Sequence, residues 1–589
     1  MNTTELEILN EIAGRPFRSQ RELAERAGCS VGAANQALRC LQAEGLLTAE
    51  QALTERGRAF VADRSPRRAV ILAAGFGMRM VPISREVPKA LLEVRGETLI
   101  ERQLRQLREV GVTEVSVVVG FMKERFEYLM DTWGVRLIVN PDYASGNNLL
   151  SLALAADSLD NCYIIPCDLW AADNPFRSTE TGSWYMVADR EDPESTVRIN
   201  RRGELVFARG GEKRHAMIGI AYLTGAESAR VRERLRALAP DPAWRESFWE
   251  ETLREGGRML LPARRVAADA VAEINTYEQL RELDGDSNHL KSETMDVLTR
   301  ALDCAPEEIT GITVLKKGMT NRSFLFACRG RRYIMRVPGE GTEKLIDRRR
   351  EAAVYQAVLD TGLCDPVLKI DPESGYKLTA FVENARVCDA DSVPDLRRCM
   401  ALLRDFHARK LQVEHTFDIF GQIDFYEGLW EGAPSVFRDY AETKARVLAL
   451  RPELESRCTR WALTHIDANP DNFLLWEENG QEKTLLIDWE YAGMQDQDVD
   501  LAMFCIYALY SREQTDRLID LYYEEGCPED VRYKIYGYMA ACGLLWSNWC
   551  EFKRQRGVEF GEYALRQYRY AKEYERLARA YFESGREQA

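Results

Sequence analysis

The chain has 589 residues, 46% of them hydrophobic and 29% charged, with a net charge of −15. That length exceeds a single core and predicts about three domains at roughly 100–200 residues each. The acidic balance argues against a general binder of nucleic acid or acidic lipid. Fourteen cysteines in no regular spacing, with no CxxC pair, fit small apolar core residues in a reducing compartment and not metal ligands. The opening MNTTELEILNEIAG has no basic start and no long apolar run, so no signal peptide is expected. No segment reaches the ~18 apolar residues of a membrane span, so the expectation is a cytoplasmic protein without membrane insertion. Nothing in the sequence fixes its oligomeric state.

Residues 1–64 read as short helices and a turn. TTELEILNEIAG has apolar residues at helical spacing, SQRELAERAGCS starts on Ser19 as N-cap, and VGAANQALRCLQAEG follows a short turn. LLTAEQALTERGRAF fits a small wing. The stretch resembles the winged helix-turn-helix domains of bacterial regulators, and the resemblance implies DNA as a partner, through the helix from Val31. Eight arginines against nine acidic residues are a poor footprint for a phosphate backbone, so packing or dimerisation is the competing reading.

After the polar link ADRSPRR the texture changes. RRAVILAAG, EVSVVVG, VRLIVN and CYIIPCD read as strands with helical stretches between them, which predicts a doubly wound, largely parallel α/β sheet over 68–290. In LAAGFGMRM, Gly75 and Gly77 permit positive φ and close backbone approach to phosphate. The loop lacks the ending of a P-loop and the third Gly of a dinucleotide fingerprint. Arg79 and, in VPKALLEV, Lys89 bring two cations to it, a set suited to a triphosphate with Lys89 near the α-phosphate.

This stretch resembles nucleotidyltransferases with a G-x-G-x-R…P-K-x-[LM] signature. VVVGFMKERFEYL and NPDYASGNNLLSL are similar to bacterial phosphocholine cytidylyltransferases. The resemblance implies that Ala73, Ala74 and Gly75 line the nucleotide, that Asn147 and Asn148 lie near base or ribose, and that Lys123 adds a polar contact. It also implies that Asp168 binds metal, with Glu273 or Asn275 in AVAEINT as the second ligand. The chemistry is attack by a phosphate oxygen on the α-phosphorus of a nucleotide, which requires charge neutralisation and alignment, and Mg²⁺ fits. Trp170, Trp184, Tyr185, Trp244, Phe248 and Trp249 are the aromatic candidates for an acceptor carrying a quaternary ammonium.

The third unit, 295–589, opens on antiparallel strands and turns mostly helical. In LTHIDANPDNFLLWEENGQEKTLLIDWEYAG a loop presents Asp467 and Asn472, and the following strand returns Asp488 alongside. Phosphoryl transfer from ATP needs one Asp at the hydroxyl proton and an Asn and an Asp on Mg²⁺. His465 either braces the loop or is a satisfied core residue. The unit resembles the choline kinase and aminoglycoside phosphotransferase branch of the bilobal kinase-like fold. By that resemblance Gly318, Thr320, Asn321 and Ser323 form the phosphate-covering turn, Arg336 is the strand cation and Glu351 its helix partner. Arg336 stands where typical kinases have Lys. GLLWSNWCEFKRQRGVEFGEYALRQYRYAKEY is similar to bacterial choline kinases. Trp546 and Trp549 share a helix face, and with Glu490 and Tyr491 or Tyr568 they would cage a trimethylammonium group.

The expectation is a bifunctional enzyme that phosphorylates choline with ATP and couples phosphocholine to CTP, giving CDP-choline and pyrophosphate. The alternatives are the same chemistry on ethanolamine, an aminoalkyl phosphonate or a sugar, and a transcriptional regulator that senses choline or CDP-choline.

Overall fold

The computed structural model describes the chain apart from residues 76–79, 81–86, 144–145, 201–202, 288–289, 291, 316–320, 340–344, 556–559 and 588–589, and the side chains at 322 and 585–587. Gly77, Arg79, Gly318 and Thr320 therefore lie outside the described residues. The chain divides into two units, Met1–Pro306 with Gly311–Val314, and Glu307–Thr310 with Leu315–Ala589.

The first unit begins with helices Thr3–Gly14, Gln20–Arg26, Val31–Ala43 and Glu55–Arg64. Asn2, Ser19, Ser30 and Thr54 each accept a backbone N–H of the following turn, which satisfies donors that a helix start leaves open. Ile8, Leu9, Leu23, Leu38 and Leu41 close a small core. The expected wing shrinks to a single bridge between Leu47 and Leu53. Thr54 accepts the N–H of Gly57 at 2.9 Å, so the rest of that stretch becomes helix. A side chain at Gly57 would meet the Leu46 carbonyl at 2.1 Å, so this close approach needs glycine. The Thr3–Gly14 helix lies against the transferase domain: Thr181 Oγ1 donates to the Leu6 carbonyl at 2.6 Å, and Arg177 and Arg264 pair with Glu7.

The large sheet runs Arg136–Val139, Glu114–Val119, Arg68–Ala73, Cys162–Pro166, His215–Leu223, Trp184–Glu191, Arg258–Val266, Glu204–Phe207, Val197–Ile199. The first four strands are parallel, as the βαβ rhythm predicts. His215–Leu223 is antiparallel to both neighbours, so the sheet as a whole is mixed. The cause is local: among the described residues no long crossover helix occurs between Asp168 and Gly225–Leu238, and parallel neighbours need one. Ala69, Ile71 and Ala73 face one core with the Leu99–Glu109 helix, while Val70, Leu72 and Ala74 face another with the Asn148–Leu154 helix. Burial on both faces explains the unbroken apolar run. Strands Arg68–Ala73 and Cys162–Pro166 end at one edge, where such sheets place their ligands.

The second unit carries antiparallel strands Asn321–Cys328, Arg331–Pro338, Lys377–Ala380 and Val367–Ile370 in that spatial order. Helix Arg348–Val358 accompanies them. The remainder is largely helical around a core that includes Phe406, Trp489, Phe504 and Trp546. Two small antiparallel pairs interrupt the helices, Trp461–Thr464 with Gly493–Asp496 and Phe473–Glu478 with Gln481–Leu486. They bring the 465–472 loop beside the turn at Ile487, whose N–H donates to the Asn472 carbonyl at 2.9 Å. Among the described residues no helix is long and apolar enough to cross a membrane.

Candidate active sites

At the open edge of the large sheet lies a cleft of about 220 Å³, lined among others by Ala74, Gly75, Lys89, Asn147, Asn148 and Asp168. Lys89 opens a short turn after Pro88 and reaches across the strand ends. Its Nζ donates to Asp168 Oδ2 and to Asn275 Oδ1, both at 2.6 Å. Asn275 is therefore engaged by the lysine, while Glu273, on a strand paired with Leu169–Ala171, stands close enough to Asp168 to feel its charge. Burial, and then the Asp168 charge, push the Glu273 carboxyl above its ordinary range. Asp168 Oδ1 is buried with no hydrogen-bond partner among the described residues. A buried acceptor of this kind beside a second carboxylate fits a hard cation.

Asn147 caps the Asn148–Leu154 helix, and Asn148 Oδ1 accepts the N–H of Trp249 at 2.7 Å. Ser151 and Tyr143 also line this cleft and had no signal in the sequence. Two expected nucleotide contacts are placed elsewhere. Ala73 packs in the core on the other face of its strand, since alternate residues of a strand point to opposite sides. Lys123 is exposed and paired with its neighbour Glu124 at 2.5 Å.

A second hollow, of about 410 Å³, shares Asn148, Pro166, Asp168 and Phe248 with the first. Tyr185, Phe207, Asp192, Glu194, Glu250 and Glu251 line it. Gly219 lies on its wall with φ +88°, where a side chain would strike Pro166 at 2.6 Å. Tyr185 donates to Glu250 Oε1 at 2.9 Å, and Glu250 Oε2 is buried without a partner among the described residues. Burial raises the Glu250 carboxyl to about 7. Of the aromatic candidates for the acceptor, Tyr185 and Phe248 reach this hollow. Trp184 packs under Arg264, Trp170 beneath Arg95 and Arg102, and Trp249 is fully buried.

In the second unit Asp467 lies on the loop after Trp461–Thr464. Asn472 Nδ2 donates to Asp467 Oδ2 at 3.0 Å and Asn469 Nδ2 to Oδ1 at 3.1 Å. Burial, and then nearby Asp488, raise the Asp467 carboxyl to about 8. Ile466 and Asp488 sit at φ 70° and 68°, a region that Asp enters readily and β-branched Ile rarely. Asp500 holds the loop in place: its carboxylate accepts the N–H of His465 at 3.0 Å and of Ile466 at 2.8 Å, and lies 3.0 Å from His407 Nε2. His465 is wholly buried, with Nε2 3.0 Å from the Ile487 carbonyl and its ring on edge to Trp489. Burial lowers its pKa to about 4, so it stays neutral and braces the Asp488 turn.

Arg336 forks onto Glu351 at 2.5 and 2.8 Å, and Ser323 faces it across the strand pair. Three of the five expected cage residues come together. Tyr491 and Tyr507 lie on edge to Trp546, at 5.8 and 5.6 Å, and Trp546 is 5.5 Å from Trp549. Phe560 and Tyr563 extend this cluster, and Tyr507 stands close enough to Asp467 to feel its charge. The other two point elsewhere. Glu490 accepts from Asn321 at 2.7 Å and from Arg348 at 3.1 Å, because those donors out-compete an apolar cage for its charge. Tyr568 stacks on Phe437 and donates to Asp439. Asp500, Tyr507 and Arg348 were missed from the sequence, where nothing in their spacing distinguishes them from ordinary helix residues.

Family models match three stretches of the chain: winged helix-turn-helix DNA-binding over 1–48, the MobA-like NTP transferase domain over 69–246, and the phosphotransferase enzyme family over 311–536. The 2-aminoethylphosphonate cytidylyltransferase of Lancefieldella rimae is 30% identical over 234 residues, 37% of this chain and 91% of the relative. The chain belongs to this nucleotidyltransferase family, joined to a phosphotransferase. Choline-phosphate cytidylyltransferase of Streptococcus pneumoniae is 43% identical over 125 residues, 21% of this chain. That match spans 55% of the relative, so about half its length. Protein LicA of Haemophilus influenzae is 26% identical over 262 residues, 42% of this chain and 95% of the relative. The protein is thus an enzyme with two transferase domains behind a helix-turn-helix domain.

Proposed function

We propose that the chain makes CDP-choline in two steps, ATP-dependent phosphorylation of choline and transfer of CMP from CTP to the phosphocholine formed. The observation that carries the choline reading is the ring cluster of Tyr491, Tyr507, Trp546 and Trp549, in which Tyr491 and Tyr507 lie close enough to Asp467 to feel its charge. Ring faces attract a quaternary ammonium that has no N–H to donate, and a choline held there presents its hydroxyl to the Asp467 carboxyl. Asp467 orients that hydroxyl and, in its ionised form, takes its proton as the oxygen bonds to the γ-phosphorus and ADP leaves. In the transferase domain Lys89 neutralises the α-phosphate while a phosphocholine oxygen attacks it and pyrophosphate leaves. The Tyr185, Phe248 and Glu250 side of the second hollow receives the cationic end. Asp168 and Glu273, and separately Asn472 and Asp488, would hold Mg²⁺, which supplies charge neutralisation on the phosphates when bound. Use of ATP and CTP fits a cytoplasmic site of action.

A second reading has 2-aminoethylphosphonate accept CMP directly. The carboxylates of Asp192, Glu194 and Glu251 around the hollow suit a primary ammonium, and the Lancefieldella rimae relative carries that name. Chemistry favours choline: a phosphonate already bears its phosphorus and gives a fused kinase nothing to do. The test is full-length protein with Mg²⁺, ATP and CTP, offered choline, ethanolamine and 2-aminoethylphosphonate in competition and read by mass spectrometry. CDP-choline should dominate and should require ATP unless phosphocholine is supplied. Faster turnover of either rival would overturn the choline assignment.

DNA binding by the first domain has weak support in its charge. The exposed positions of the Val31–Ala43 helix include Val31, Gly32, Gln36 and Arg39, a single cation. A mobility-shift assay across a salt series tests it.

A further inference from the structure

Helix Arg348–Val358 is fixed to the strands at two points. The first is Glu351, whose carboxylate takes the fork of Arg336. With ATP as donor, that pair aims the strand cation at the nucleotide phosphates. The second point lies four residues on, on the same helix face and about 6 Å further along the axis. There the Tyr355 hydroxyl donates to Asp365 Oδ1 at 2.9 Å and accepts from Lys377 Nζ at 2.5 Å. Lys377 Nζ also donates to Asp365 Oδ2 at 3.0 Å and lies 4.6 Å from the centre of the Tyr355 ring. The three side chains close a ring of hydrogen bonds, all of them buried.

The members of this triad come from three places. Tyr355 is on the helix. Lys377 opens strand Lys377–Ala380, where it stands opposite Arg336. Asp365 lies just before strand Val367–Ile370, in a segment that is itself tied further. The N–H of Leu486 donates to the Leu363 carbonyl at 2.8 Å, and Cys364 bridges to Leu486. Asp488 follows two residues later. The triad therefore joins the helix, the sheet and the strand that delivers Asp488.

A single ion pair lets a helix swing about it, whereas a second contact one turn away fixes the tilt. Burying an ammonium with a carboxylate adds little net stability, because apolar side chains of similar volume often pack as well. What hydrogen bonds add is direction. A shift of about 1 Å in a positioning group is enough to lose much of its effect.

We propose that Tyr355, Asp365 and Lys377 form a second tether for helix Arg348–Val358, and that Tyr355 is a positioning residue for the Arg336–Glu351 pair. This rests on the reading of ATP as the phosphoryl donor.

The experiment is calorimetric binding of Mg²⁺ with AMP-PNP, and separately of AMP, to the full-length protein, to Tyr355→Phe, to Lys377→Met, and to Lys377→Met combined with Asp365→Asn, each with a thermal melt. Tyr355→Phe removes one hydroxyl and keeps both the ring and the Lys377–Asp365 pair, so it should melt close to wild type. It should weaken AMP-PNP about tenfold, the scale seen when an outer partner of a metal ligand is removed, and leave AMP within about twofold. Lys377→Met strands the Asp365 carboxylate in the interior and should melt well below wild type. Adding Asp365→Asn removes that charge, and should restore the melting temperature without restoring AMP-PNP affinity. A ratio of the two affinities that stays at the wild-type value in Tyr355→Phe would overturn the tether. So would a double variant that regains both the melt and the ratio, since the triad would then serve stability alone. Wild-type protein that binds neither ligand would overturn the ATP reading first, and the tether's role in nucleotide binding with it.

Discussion

Asp467 shows what a single residue costs the fold that carries it. Its carboxyl titrates near 8 in the folded chain because burial and Asp488 disfavour the charge, whereas an unfolded Asp titrates near ~3.9. The folded state therefore binds a proton that the unfolded state has released. A raised carboxyl contributes its stability fully below the unfolded pKa, and that contribution is lost as pH rises through the folded pKa. Asp467→Asn removes the penalty. In chelator-treated protein the variant should melt higher than wild type at pH 8, by roughly 2 °C or more for about 1 kcal/mol, and the gap should close as pH falls towards 4. Phosphotransfer by the same variant should be lost. A variant that melts lower than wild type at pH 8 would show that Asp467 is held by its hydrogen bonds and not strained by burial.

Helices and strands set the geometry that the isolated residues cannot. The motif H-x-D-x-x-x-x-N is legible because its residues are close in sequence, and so is Asp488, one hairpin further on. What holds them was not legible. Asp500 reaches back from the Asp498–Tyr507 helix to the backbone of His465 and Ile466, a contact across more than thirty positions. A sequence shows residue types and local spacing, and long-range acceptors have neither. The same limit explains Glu490 and Tyr568, assigned to the cage by their neighbours in the chain and placed by packing against Arg348 and Phe437. It also explains the mixed sheet, since strand direction depends on which crossover the chain affords. Conversely the Trp546 and Trp549 pair was visible because three residues along a helix is a local rule. Asp500→Ala should release two N–H groups and let Ile466 leave φ 70°. Phosphotransferase kcat should fall at least tenfold with CMP transfer to supplied phosphocholine unchanged. Equal loss of both activities would indicate global damage, not a freed loop.

On the scale of the whole molecule, the two proposed sets fall in different units: Lys89, Asp168 and Glu273 in the first, and Asp467, Asn472 and Asp488 in the second. Under the proposed function the link between the two reactions is one intermediate, phosphocholine. The first reaction's product then passes through solvent unless the units guide it. Lys89→Ala should abolish CMP transfer, because the α-phosphate loses its cation, and should leave choline phosphorylation at wild-type rate. Phosphocholine would then build up in the medium in step with ADP. Asp467→Ala should stop ADP formation while CTP and supplied phosphocholine still give pyrophosphate. Mixing the two variants in equal amounts separates the routes. With ATP, CTP and choline, a freely diffusing intermediate restores CDP-choline after a lag, to about half the wild-type rate per chain. A mixture that makes phosphocholine and pyrophosphate separately on demand, yet yields no CDP-choline from choline, would mean that the intermediate has to be handed over within one chain.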